Sequence, residues 1–154
     1  MFNYLIIFGA KYLILILIFL AGIFFILEKK EIKKRIAIFG IVILPVTYAL
    51  GKLVSLFYYN PCPFVEENFQ PLIPHSPDNG FPSDHVLICA GISSLIFIFN
   101  KKLSILLWIM TLIVGFCRIY AGVHHLIDIL ASVFIAIFVL IIVNYILNPI
   151  VKKL

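Results

Sequence analysis

His124 and Asp128 stand four residues apart, and an imidazole with a carboxylate partner is a nucleophile's constellation. Four residues is about one helical turn, so on a helix the two side chains share a face and can touch. An Asp that accepts from one ring nitrogen fixes the tautomer, leaves the other nitrogen nucleophilic and stabilises the cation formed on attack. Arg118, a few residues earlier, offers a planar fork suited to phosphate oxygens. His85 lies on a different segment and can protonate a leaving oxygen, while Pro82 and Ser83 just before it can present amide and hydroxyl donors. A helix N-terminus near His124 favours an anion. These are the parts of a phosphoryl-transfer site that works through a covalent histidine, with no metal and no cofactor.

The elements that must position these groups are apolar to an unusual degree. Hydrophobic residues make up 64% of the 154 positions, and only 12% are charged. A soluble domain has roughly half apolar residues and a quarter charged ones, so the bilayer must be the solvent. The length fits one membrane-embedded domain over residues 1–154. A span needs about 20 apolar residues. Five segments qualify, at residues 4–27, 36–59, 84–100, 103–121 and 125–147. The expected fold is therefore an all-α integral membrane bundle of about five transmembrane helices. The first segment is read as a retained helix, because it ends in Glu28-Lys29-Lys30 and lacks a small-residue cleavage site. Residues 60–83 hold six of the eight prolines and read as a long surface loop.

Charge placement gives an orientation. Five Lys or Arg lie in 28–35, two at 101–102 and two at 152–153, whereas 60–83 has none and carries Glu66, Glu67 and Asp78. By the positive-inside rule the basic connections are cytoplasmic, and the N-terminus and the Pro-rich loop face outward. Asp84, His85, Arg118, His124, His125 and Asp128 then share one membrane depth at the outer side. Each charge at bilayer centre costs about 2.5–3.5 kcal/mol, so their gathering makes sense around a shared watered pocket. The net charge of +5 reflects these short basic runs and suits anionic headgroups; no basic patch interleaved with aromatics is present for nucleic acid.

Each residue taken alone also has a plain structural reading. His125 and His75 fit satisfied polar contacts, Arg118 an interfacial snorkelling side chain, and Asp128 a helix-start charge. Cys62, Cys89 and Cys117 show no metal-ligand spacing, and an odd number does not close a disulfide framework. A transporter would place polar groups near the midplane in broken helices, and haem needs facing histidines within a bundle; here the polar groups crowd one end.

Two stretches carry a family resemblance. Phe81-Pro82-Ser83-Asp84-His85 and the run from Cys117-Arg118 through His124-His125 to Asp128 resemble the second and third signatures of the type 2 phosphatidic acid phosphatase superfamily. Asp84, with Pro63-Phe64-Val65, Leu72-Ile73-Pro74-His75 and Asp78, is similar to the bacitracin-resistance branch, the undecaprenyl-diphosphate phosphatases. The resemblance implies His124 as nucleophile, Asp128 as its orienting partner and His85 as general acid, with Arg118 and Ser83 on the phosphoryl oxygens. It implies a polyprenyl diphosphate or other lipid phosphate as substrate, within a cell membrane and at an outward-facing site. The first signature departs from the family: Cys62 stands where Arg is expected and Ser55 where Lys is expected, with Lys52 one turn earlier as a substitute. Other lipid phosphates (phosphatidylglycerophosphate, phosphatidate, lipid A) remain open as substrates, as does a weakly catalytic lipid-phosphate-binding protein. Members commonly have six helices, against the five expected here.

Overall fold

A computed structural model describes residues 1–151; Lys152 and Lys153, which contribute to the charge asymmetry, lie outside the described residues. The elements are all helical: α1 (Phe2–Lys11), α2 (Leu13–Leu27), α3 (Lys30–Ser55), the short α4 (Pro63–Glu66), α5 (Asp84–Phe97), α6 (Lys101–Tyr120) and α7 (Leu126–Val151). α5 is the hub and packs against α2, α3, α6 and α7.

The side-chain distribution is that of a membrane protein. Large apolar residues are exposed along whole helices, as with Ile105, Leu106, Ile109, Leu112, Ile113 and Phe116 on α6. Small polar residues are inside: Ser93, Ser94, Ser104, Thr111 and Ser132 are all buried. Ser93 Oγ lies 3.1 Å from Thr111 Oγ1, and Ser104 Oγ donates to Ser93 O at 2.8 Å, so hydroxyls tie α5 to α6. Small residues and interhelical hydroxyl bonds replace the hydrophobic effect where lipid is the solvent.

The expected count of five spans is not reached by length. Among the described residues three helices, α3, α6 and α7, are long and apolar enough to cross a membrane, and a fourth is obtained if α1 and α2 form one broken span. The chain is thus an all-α, multi-pass membrane protein with three to four long apolar helices. The expected first helix is bent by 48° near Tyr12. α5 has 14 residues, about 21 Å, against a hydrocarbon core of about 30 Å. It is sheathed by its neighbours, with nine of its residues buried, so its length is not matched to lipid. α3 begins at Lys30 rather than 36: the charged run Lys30–Arg35 is helical, because Lys, Glu and Arg are good helix formers.

The connections set the geometry of the site. Residues 98–100 join α5 to α6, so the two lie antiparallel, with Asn100 Oδ1 capping α6 through Leu103 N–H at 3.0 Å. The end of α3, the starts of α5 and α7 and the end of α6 therefore meet at one face of the bundle. The basic segments 29–35 and 101–102 lie at the other.

Candidate active site

That meeting point encloses a cavity of about 300 Å³, lined by Lys52 and Ser55 from α3, Asp84 and His85 from α5, Arg118 from α6, His124, and loop residues including His75 and Asp78. Six groups singled out from the sequence thus share one space: Lys52, His75, Asp84, His85, Arg118 and His124.

His124 is 3% exposed and lies just before α7 rather than on it. Its Nδ1 is 3.0 Å from the carbonyl of Gly80 and 3.4 Å from Asp128 Oδ2. Both neighbours are acceptors, so Nδ1 carries the proton and Nε2 keeps its lone pair. Nε2 is buried and has no hydrogen-bond partner within the protein. The sequence spacing anticipated the His124–Asp128 pair but not the loop carbonyl that makes the shorter contact.

Asp128 is fully buried and does not line the cavity. Its Oδ2 accepts from His125 N–H at 2.8 Å, in the manner of a capping box at the start of α7. Its Oδ1 accepts from Asn60 Nδ2 at 2.7 Å. Asn60 is a positioning residue that no spacing in the sequence marks, since it acts from 68 residues away. Asn79 is a second one. Its Oδ1 accepts from the backbone of Asn60 and Phe81, both at 3.0 Å, and its Nδ2 donates to Ser55 O at 3.1 Å and Tyr58 O at 3.0 Å. All four valences of this amide stitch the Pro-rich loop to the end of α3.

Gly80 sits at a close approach of chains. A Cβ there would stand 3.2 Å from both Asn60 O and Asp128 Oδ2. Gly122 has φ +78°, a left-handed turn that lets α6 reverse towards His124. Its carbonyl accepts from Phe64 N–H at 3.1 Å, and Ala121 O accepts from Leu72 N–H at 3.0 Å, which docks the loop on the α6–α7 turn.

Arg118 is 3% exposed and reaches back to Ala10 O at 3.4 Å through one guanidinium nitrogen, so α1 anchors it. Its Nε has no partner within the protein. Lys52 Nζ bridges both oxygens of Asp84, at 2.9 and 2.8 Å. The Lys52 charge is therefore already partly answered inside the cavity. Ser83 differs from expectation: its backbone N–H is turned to Asp128 O at 3.3 Å and is not free for a ligand. Its Oγ is buried without a partner, and Ser83 does not line the cavity.

Cys62 is fully buried and likewise off the cavity wall, with Sγ donating to Asp78 O at 3.6 Å. Burial, followed by the nearby carboxylates Asp78 and Asp128, pushes its thiol up to about 11. His75 stacks edge-on against His124 with ring centroids 5.3 Å apart. Burial, then the charge of Arg118 and His124, lowers its pKa to about 4, so it is neutral near pH 7. His125 lies outside the cavity and pairs with Glu66 at 3.4 Å.

The sequence profile of the PAP2 superfamily matches residues 34–152, a span that contains every cavity residue. The chain belongs to the PAP2 superfamily. Among PAP2-type relatives, undecaprenyl-diphosphatase BcrC of Bacillus subtilis (strain 168) is 39% identical over 87 residues, covering 56% of this chain and 45% of that protein. The bacitracin transport permease protein BcrC of Bacillus licheniformis is 33% identical over 133 residues, or 86% of this chain and 65% of that protein. The chain thus spans from under half to about two thirds of the length of these curated relatives. The crystal structure of Aquifex aeolicus LpxE superposes with a TM-score of 0.68 at 26% identity, covering 94% of this chain and 83% of the other.

Proposed function

We propose that the chain is a membrane lipid-phosphate phosphatase whose nucleophile is His124 Nε2. The observation that carries this reading is the pair of acceptors on Nδ1, which leaves a lone pair on Nε2 inside a cavity that also holds Arg118 and His85. In the proposed reaction Nε2 attacks phosphorus and the bond from phosphorus to the leaving oxygen breaks. His85 gives that oxygen its proton. The imidazolium-like phosphohistidine is stabilised by Asp128, and Arg118 neutralises the equatorial oxygens. Water, deprotonated by His85, then attacks phosphorus, and inorganic phosphate leaves with Nε2 restored.

Within this chemistry the similarity to undecaprenyl-diphosphatase BcrC supports a polyprenyl diphosphate, converted to the monophosphate, as the first substrate to test. Phosphatidylglycerophosphate, phosphatidate and lipid A share the same reacting group and are the other members of the class. The charge asymmetry between the two faces favours an outward-facing cavity.

Rapid quenching of purified protein with phosphorus-labelled lipid tests the mechanism. An acid-labile, alkali-stable phosphoryl-enzyme is expected in the parent, in the presence of chelator as well, and is expected to be absent in His124→Ala. Turnover without any labelled enzyme would remove the covalent mechanism. A panel of undecaprenyl diphosphate and the three alternative lipids, compared by kcat/KM, ranks the substrates. Binding of all four with release from none would leave only a lipid-phosphate-binding protein.

A further inference from the structure

The Pro-rich loop brings together three metal-ligating side chains that the sequence keeps apart. Cys62 Sγ, a ring nitrogen of His75 and a carboxylate oxygen of Asp78 all lie within 4.8 Å of one another. The backbone explains why. Pro61 and Asn79 form an antiparallel bridge, and Gly80 N–H donates to Asn60 O at 2.8 Å, so Cys62 falls opposite Asp78 in the same register. His75 arrives three residues before Asp78, and its Nε2 is buried with no partner. The framework is held independently of any ligand by the four hydrogen bonds of Asn79.

We propose that Cys62, His75 and Asp78 form a binding site for a divalent cation of the zinc class. A thiolate, an imidazole and a carboxylate are a borderline-soft donor set, which selects zinc-like ions over magnesium or calcium. Three protein ligands leave one tetrahedral position open. His75 and Asp78 line the cavity, so an ion held between them and Cys62 would lie at its wall. Binding replaces the Cys62 S–H bond by a sulfur–metal bond and releases the proton to solvent, so affinity rises with pH. The ion places positive charge on the wall where the family resemblance leads one to expect a guanidinium. Attack by His124 does not pass through it.

The test reads metal binding directly and does not depend on turnover, so it stands or falls separately from the phosphatase reading. Full-length protein, purified in detergent and stripped with chelator, is titrated with Co²⁺ as a spectroscopic stand-in for Zn²⁺. One ion per chain is expected, with a thiolate-to-cobalt charge-transfer band that Zn²⁺ abolishes by displacement. Cys62→Ser is expected to lose the band, whereas Cys89→Ser and Cys117→Ser keep it. Asp78→Asn changes an exposed side chain and is expected to bind Co²⁺ at least tenfold more weakly with the band retained. No band in the parent, an undiminished band in Cys62→Ser, or unchanged affinity in Asp78→Asn would each overturn the site.

Discussion

At the scale of single residues, one ion pair governs how Lys52 meets an anion in the cavity. Lys52 holds both oxygens of Asp84, so a phosphate entering the cavity meets a cation already engaged and an anion already present. Asp84→Asn removes the anion and releases Lys52, and is expected to lower KM for an anionic lipid severalfold. Lys52→Ala leaves Asp84 uncompensated and is expected to raise KM by about tenfold or more, since a charge-assisted hydrogen bond is worth about 1.5–3 kcal/mol. The double variant should fall between them, because the two side chains act on each other. Steady-state kinetics on the three variants decides this, and equal KM values throughout would remove Lys52 and Asp84 from substrate binding. Asn60 allows a second prediction. Loss of its 2.7 Å bond to Asp128 in Asn60→Ala leaves a buried carboxylate oxygen unpaired, and kcat is expected to fall about tenfold to a hundredfold with KM nearly unchanged. The His124–Asp128 pair was legible in the sequence because its partners are four residues apart, although His124 precedes α7 instead of lying on it. Asn60 and the Gly80 carbonyl were not, because their contacts are made by a loop whose path no periodicity encodes.

At the scale of elements, the Pro-rich loop is a structural part of the site rather than a flexible cover. It supplies Gly80 O to His124 and is fastened at both ends, to α3 through Asn79 and to the α6–α7 turn through Gly122 and Ala121. Asn79→Ala removes four hydrogen bonds, at about 1 kcal/mol each. Faster proteolytic nicking within 60–83 and a lower kcat are expected together, with helix content by circular dichroism unchanged. Nicking at the parent rate would show that the loop is held elsewhere. The long apolar helices were legible because about 20 apolar residues have few alternative uses. The bend near Tyr12 was not, since residues 4–27 read as one span in which the single charge of Lys11 gives no sign of a break, and α5 was over-extended because Ile98 and Phe99 continue its apolar pattern past the last helical turn.

At the scale of the whole molecule, the two ends of the bundle are chemically opposed. Lys29, Lys30, Lys33, Lys34, Arg35, Lys101 and Lys102 lie at one end, and the cavity with its Lys- and Arg-free loop lies at the other. In intact cells a cysteine introduced at Gln70 is expected to react with an impermeant maleimide, and one at Lys33 to be protected until the membrane is opened. The reverse pattern would turn the cavity to the cytoplasm and exclude a role on the outer face.

The shortness of α5 has a consequence for how the protein meets its substrate. α5 and α6 leave the same tight connection, yet α6 has 20 residues, about 30 Å, and α5 stops about 9 Å sooner. The floor of the cavity at the start of α5 is therefore sunk beneath the end of α6. A lipid can present its phosphate there while its chains stay among their neighbours, so encounter becomes a search in two dimensions. Rate should then follow the mole fraction of lipid phosphate in the bilayer and not its concentration in the tube: diluting vesicles in buffer leaves turnover per enzyme unchanged, while diluting the substrate with inert lipid lowers it in proportion.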